Sequence, residues 1–300
     1  MPRSGLRLLA VHAHPDDESS KGAATIARYA AEGVQVLVAV CTDGSRGEIL
    51  NPAADKPELS RDLAAARRRE IARACQILGV DHEFLGFTDS GFPDSGRYTL
   101  PDGCFARQPV SVAVEPLVRI IRQLRPHVML AYDESGGYPH PDHIMSHKIS
   151  IAAFEAAAAA DRYPAAGDPW QAAKLYYHAS FNRPRFRALH AEMNRRSSSD
   201  GGMRWRESWG EAHESFPWQD LPVTTRIHCS DYFEKREMAL LAHTTQVDPN
   251  GFWLAYPADV QRTAWPTEDF FLARSVVDTV LPEDDLFAGI PAVSSVAAHG

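Results

Sequence analysis

The run His14-Pro15-Asp16-Asp17-Glu18 places four side chains able to bind a metal ion or a proton within five residues. Alone, such a run also suits an ordinary helix N-terminus, where acidic side chains complement the macrodipole. A second cluster, Tyr138-Pro139-His140-Pro141-Asp142-His143, changes that weighting. Catalytic zinc commonly takes three nitrogen or oxygen ligands and keeps one position for water. His14 and Asp17 can converge across one tight turn and His143 can reach in from the second cluster, which leaves Asp16 free. A metal lowers the pKa of its water, and a carboxylate beside that water is placed to take the proton. The expected chemistry is hydrolysis.

Two such clusters need a frame that brings them together. Leu6 to Ala13 reads as an apolar strand, and Gly22 to Glu32 carries small apolar residues at helical spacing before Gly33 closes the helix. Val34 to Cys41 is a nearly continuous β-branched and apolar run, the pattern of a parallel strand buried on both faces. Arg61 to Leu78 reads as helix up to Gly79, and His82 to Leu85 as a short strand. Val112 to Leu124 is helical until Pro126, His127 to Tyr132 is a third strong strand, and Asp142 to Ala160 is an alanine-rich helix. This alternation predicts a doubly wound, Rossmann-like α/β fold with a mostly parallel sheet. Ligands of such sheets gather beyond the carboxyl ends of the strands, where both clusters fall. Residues 1–180 are expected to form the metal-binding core, and 181–300 an extension completing the same domain and the substrate cleft. Val223 to Ile227 reads as a strand, Tyr232 to His243 as a helix, Arg195 to Gly202 as mobile, and the chain after Pro282 as poorly ordered.

The remaining composition narrows the class. With 300 residues and 44% hydrophobic side chains the chain can bury a proper core. Its net charge of −8 argues against general nucleic-acid binding. No apolar run approaches the roughly 18 residues of a membrane span, and no signal peptide precedes the first strand, so a cytoplasmic protein is expected. Cys41, Cys75, Cys104 and Cys229 are too dispersed for a thiolate metal site or a disulfide framework. Two histidines and a carboxylate also form the facial triad of non-heme iron oxygenases. The alternating fold and the free Asp16 favour hydrolysis over that reading. A dinucleotide-binding module is disfavoured because no Gly-x-Gly-x-x-Gly follows the first strand.

The paired motifs resemble those of the LmbE-like, or PIG-L-like, N-acetylglucosaminyl deacetylase superfamily. The similarity is strongest in residues 10–47, 78–105 and 124–147, continues through 266–274 and is weakest over 181–222. The resemblance implies zinc at His14, Asp17 and His143, with iron(II) as a possible substitute, and Asp16 as general base. It implies that Tyr138 polarises the scissile carbonyl. His140 would stabilise the tetrahedral intermediate and protonate the leaving amine, with Asp142 as its orienting partner. Ser19-Ser20-Lys21-Gly22 resembles the thiol-conjugate amidase subgroup, in which the lysine faces the thiol conjugate. Arg67, on a helix carrying Glu70, and Asp89 match positions that grip sugar and inositol hydroxyls, with Glu48 a similar candidate. His243-Thr244-Thr245-Gln246 recurs in the subgroup without an assignable role. The implied substrate is a small molecule, a mycothiol S-conjugate. The amide between its S-substituted cysteine and glucosaminyl-inositol would be hydrolysed in detoxification or antibiotic maturation. The alternative is deacetylation of N-acetylglucosaminyl-inositol.

Overall fold

Leu8, Leu9, Ala10 and Val11 are all inaccessible to solvent, so the first strand, β1 (Arg7–His12), is covered on both faces. Side chains alternate across a strand. Leu8 and Ala10 therefore join one core layer and Leu9 and Val11 the other. The computed structural model describes residues 3–92, 99–196 and 221–291. A short helix α1 (Asp17–Ser20) and then α2 (Ala23–Ala31) lead to β2 (Gln35–Thr42). Helices α3 (Pro57–Arg61) and α4 (Leu63–Leu78) precede β3 (Asp81–Phe87). Next come α5 (Val110–Leu124), β4 (Val128–Ala131), α6 (Pro141–Ala158) and β5 (Lys174–His178). The described chain continues through α7 (Arg183–Arg196), β6 (Thr225–His228), α8 (Phe233–Ala242), α9 (Ala258–Ala264) and β7 (Thr267–Ser275).

The sheet order is β3-β2-β1-β4-β5-β7-β6. Neighbours from β3 through β5 pair in parallel, while β7 is antiparallel to both β5 and β6. One face is covered by Val114, Leu117 and Ile121 of α5 and by Ile149 and Ala153 of α6. The other is covered by Ile26 of α2, Ile71 and Leu78 of α4 and Ala239 of α8. The fold is thus the predicted doubly wound α/β architecture. Because β1 is flanked by β2 and β4, strand order reverses between β1 and β4. That reversal opens a crevice at their carboxyl ends.

Three expectations change. The helix expected from Arg61 to Leu78 is divided at Asp62, whose side chain accepts the Ala65 N–H at 3.0 Å and caps α4. The helix expected from Gly22 has a separate forerunner, α1. Gly22 takes φ 76° between the two, and a Cβ there would lie 2.8 Å from the His178 ring. The chain after Pro282 is not loose through 291: Leu286 is buried, and Glu283 bonds Lys174 and the Tyr176 hydroxyl, the latter at 2.7 Å. The remainder of that tail, the stretch 197–202 expected to be mobile, and the Trp-rich run 205–218 lie outside the described residues. All four cysteines are buried free thiols. Among the described residues no helix is long and apolar enough to cross a membrane.

Candidate active site

β1 ends at His12 and hands the chain directly to His14, Asp16 and Asp17, while β4 hands it through the turn at Gly136 to His140 and to α6. Gly136 is required there: its φ is +75°, and a Cβ would lie 2.6 Å from the His143 Cβ. His14 lies at the mouth of β1, Asp17 on the first turn of α1 and His143 on the first turn of α6. One potential ligand atom from each of these three falls within 4.8 Å of the others.

Hydrogen bonds assign the two imidazoles opposite tautomers. His14 Nε2 faces Asp142 Oδ2 at 3.2 Å, so with a cation bound Nε2 would keep its proton and Nδ1, 3.5 Å from Asp17 Oδ2, would be the bare nitrogen. His143 Nδ1 donates to the Gly136 carbonyl at 2.9 Å, and its bare Nε2 lies 3.3 Å from the same Asp17 oxygen. That Nε2 is buried without a hydrogen-bond partner among the described residues. Two imidazole lone pairs and a carboxylate oxygen, all facing one point, suit a divalent cation. The charge balance agrees. Burial disfavours a charged His14, yet Asp142, Asp17 and Asp89 outweigh it and hold its pKa well above the ordinary value. A cation at that point would satisfy the same carboxylates without the proton.

Asp142 does not orient His140 through its carboxylate. That carboxylate accepts from His14, from the Ser90 N–H at 2.8 Å and from the Ser90 hydroxyl. Such a carboxylate–histidine pair fixes a ligating ring and raises its basicity. His140 Nδ1 instead accepts the Asp142 backbone N–H at 3.1 Å, as the cap of α6, which leaves the proton on Nε2. Burial and the neighbouring His14 and His143 push the His140 pKa down to about 2, so the ring is neutral. Burial also pushes the Tyr138 phenol up, which keeps it a hydrogen-bond donor. Asp17 behaves differently. Burial opposes its ionisation, but His143, Lys21 and His14 hold its pKa well below the ordinary range.

Asp16 has φ 113° and ψ −25°, a left-handed conformation for a residue other than glycine. Such backbone costs on the order of 1–3 kcal/mol and persists only where its surroundings over-determine it. Burial and the nearby Asp17 raise the Asp16 pKa to about 7, against the pull of His243 and Lys21. A carboxylate titrating near neutrality is matched to general-base work.

Asp16, His14, Tyr138 and His140 line a cleft open to solvent, together with Glu48, Arg67, Asp89 and Gln246. Arg67 is buried, and its guanidinium donates to the carbonyls of Gly44 and, at 2.9 Å, Glu48. It thereby holds the wall of the cleft, and a Cβ on Gly47 would collide with it. Asp89 accepts the N–H groups of Gly91 at 2.8 Å and Arg46 at 3.0 Å and lies 3.6 Å from His14 Nε2. Burial works against its ionisation, but His14 and these N–H groups hold its pKa far below the ordinary range. Lys21 does not line the cleft in this conformation: it is 3% exposed and donates to Asp17 Oδ1 at 2.6 Å. Its ammonium lies about 6 Å from the rings of Tyr132, Tyr138, Phe181 and Trp253. Glu70 turns away from the cleft and binds Thr244 and Thr245. His147 Nδ1 faces the Tyr132 carbonyl at 3.0 Å, and His12 Nδ1 faces the Tyr132 hydroxyl at 3.3 Å. Sequence reading overlooked Ser90, which carries no signal beyond its place after Asp89. It also overlooked Glu18 as more than a fourth polar residue, although Glu18 is fully buried.

Fold and site together define a doubly wound α/β enzyme whose switch point carries a cluster able to hold a metal ion. The chain belongs to the PIG-L family: the family model described as GlcNAc-PI de-N-acetylase matches residues 9–154. It is 51% identical over 289 residues to mycothiol S-conjugate amidase of Streptomyces coelicolor, covering 95% of this chain and 97% of that protein. It is 39% identical over 294 residues to 1D-myo-inositol 2-acetamido-2-deoxy-alpha-D-glucopyranoside deacetylase 1 of Frankia alni, covering 93% and 99%. In fold it is similar to N,N'-diacetylchitobiose deacetylase from Pyrococcus horikoshii, with a TM-score of 0.60 at 17% identity over 89% of this chain and 83% of that one.

Proposed function

We propose that this protein is a zinc-dependent amidase acting on mycothiol S-conjugates. It would cleave the amide between the S-substituted cysteine and glucosaminyl-inositol, in detoxification or antibiotic maturation. The observation that carries the reading is the convergence of His14 Nδ1, Asp17 Oδ2 and His143 Nε2 beside Asp16, in a chain 51% identical to an amidase of that name. Those three atoms would hold zinc, or iron(II) in its place, which when bound would supply polarisation of the amide carbonyl and a lowered pKa for a water. Asp16 takes the attacking water's proton and returns it to the leaving amine. Tyr138 and the neutral Nε2–H of His140 donate to the oxygen on which charge develops. Asp142 keeps His14 in its ligating tautomer.

Arg67, Asp89 and Glu48 line the polyol side of the cleft. Lys21, among aromatic rings and bonded to Asp17, stands on the side of the S-linked acyl group. Residues 1–180 carry the chemistry and 181–300 complete the cleft, a division supported by Gln246 in its wall. Free thiols at every cysteine fit a reducing cytoplasm.

The test offers the zinc-loaded protein a mycothiol S-conjugate and N-acetylglucosaminyl-inositol and identifies the products by mass spectrometry. The proposal expects an S-substituted N-acetylcysteine and glucosaminyl-inositol, formed without oxygen or reductant. A higher kcat/KM for the acetyl sugar would assign the chain to deacetylation, the activity named for its 39% identical relative. A requirement for oxygen would overturn hydrolysis altogether.

A further inference from the structure

Asp16 holds its unusual conformation although its own side chain is not what secures the backbone. Its φ is set by the orientation of the Pro15–Asp16 peptide plane, and that plane is held at both ends. The Pro15 carbonyl accepts from Gln246 Nε2 at 2.6 Å. The Asp16 N–H donates to Glu18 Oε2 at 3.0 Å. The other oxygen of Glu18 receives the Ser19 hydroxyl at 2.5 Å and faces His243 Nε2 at 2.6 Å, with Glu18 and His243 both fully buried. On the following side the Asp16 carbonyl accepts the N–H groups of Ser19 and Ser20, each at 3.0 Å, which fixes ψ.

Both outer contacts come from one segment, His243-Thr244-Thr245-Gln246, which is itself anchored. Glu70 accepts the Thr244 hydroxyl at 2.6 Å, the Thr245 N–H at 2.8 Å and the Thr245 hydroxyl at 2.7 Å. Asn51 Nδ2 donates to the Thr244 carbonyl at 2.9 Å, and the Leu50 N–H to the Thr245 carbonyl at 2.9 Å. A segment more than 220 residues away in sequence thus holds both ends of one peptide plane, directly through Gln246 and through His243 on Glu18.

We infer that His243 and Gln246, the latter directly and the former through Glu18, are positioning residues that hold Asp16 in its left-handed conformation so that its carboxylate reaches the attacking water. The inference rests on Asp16 being the base. It concerns orientation alone: none of these residues is required to touch substrate or to exchange a proton.

The test compares zinc-loaded Gln246→Ala, Glu18→Gln, Asp16→Ala and the double variant Asp16→Ala/Gln246→Ala with the unaltered enzyme. Gln246 is buried but lines the cleft, so Gln246→Ala frees the Pro15 carbonyl next to solvent-accessible space and is a milder change than Glu18→Gln in the interior. It should lower kcat by about 10²-fold, the penalty typical of a misplacement of about one ångström. KM and bound zinc should not change, and the thermal midpoint reports that each variant is folded at the assay temperature. A crystal structure of Gln246→Ala should show Asp16 at negative φ. Residues acting as one unit are non-additive, so the double variant should be no slower than Asp16→Ala. A raised KM at unchanged kcat would make Gln246 a substrate contact and overturn the inference. So would an unchanged kcat, a loss of zinc or an additive loss in the double variant. Full turnover by Asp16→Ala would overturn the base assignment itself, a result separable from failure of the clamp alone.

Discussion

Asp16, whose pKa burial and Asp17 raise to about 7, stands beside three potential ligand atoms and is the feature on which the proposed chemistry turns. Asp16→Asn keeps the shape and removes the proposed base. The expected outcome is unaltered zinc content with kcat reduced by about 10²- to 10⁴-fold, read by steady-state hydrolysis and metal analysis. Asp142→Ala tests a different link, because that carboxylate acts on His14 and not on the water. Metal affinity should fall by about 10- to 100-fold, as measured by competition with a chelator. Unchanged affinity would mean that Asp89, 3.6 Å from the same nitrogen, suffices to orient His14. These residues were unequally legible in the sequence. His14, Asp16 and Asp17 are neighbours, and His143 belongs to a second cluster of the same kind, so residue type and spacing point to them. The partner of Asp142 was not legible. Its acceptor geometry depends on His14, 128 residues away, and Ser90, 52 residues away, and only the folded sheet brings them within reach.

At the scale of elements, the site depends on how sharply the chain turns from β4 into α6. Gly136 has φ +75°, and a Cβ there would meet the His143 Cβ at 2.6 Å and the Ile144 nitrogen at 3.0 Å. Gly103 has the same φ, but its Cβ would meet nothing. Alanine at either position should cost about 1–2 kcal/mol of left-handed strain in a denaturant titration. Only Gly136→Ala should also weaken zinc binding, because it displaces the first turn of α6. Equal zinc affinity in the two variants would show that the turn tolerates movement. The strands β1, β2 and β4 were readable because burial on both faces leaves an unbroken apolar record. The division at Asp62 was not, since a cap inside a periodic run looks like one more polar position. β5 and β7 were also missed. Lys174, Tyr176 and Tyr177 in β5, and Glu268 and Asp269 in β7, make those strands look polar, and their partners lie in distant parts of the chain.

For the molecule as a whole, stability is tied to the segment after β7. Lys174 is fully buried and its ammonium is paired with Glu283. Removing one member of such a pair leaves an uncompensated charge, so Glu283→Ala should cost about 3–5 kcal/mol in urea unfolding, with the catalytic constants of the folded fraction unchanged. A loss near zero would mean that water or another group reaches Lys174. Asp285 supplies a pH dependence. Burial opposes its ionisation, but the Phe287 N–H, Arg3 and Tyr29 outweigh it and lower its pKa below the ordinary 3.8. A depressed carboxylate stabilises the fold fully above its unfolded pKa and loses that contribution as pH falls through the lower folded value. Unfolding followed from pH 7 to pH 2 should therefore show a smaller acid-induced loss in Asp285→Asn than in the unaltered protein. Identical slopes would remove Asp285 from the acid limb. Polar residues made this tail look loose in sequence, yet each of these two is held by a partner supplied earlier in the chain.

The position of β7 carries a consequence for synthesis on the ribosome. Among the described residues it is the last strand to be made, yet it lies between β5 and β6, both of which leave the exit tunnel before it. Until it arrives, the edge of β5 has no neighbour and β6 has nothing to pair with, although the histidines and carboxylates of the cluster have long been translated. The nascent chain therefore carries an open β-edge, the kind of surface that recruits chaperones or a second chain. Only insertion of this final strand closes it.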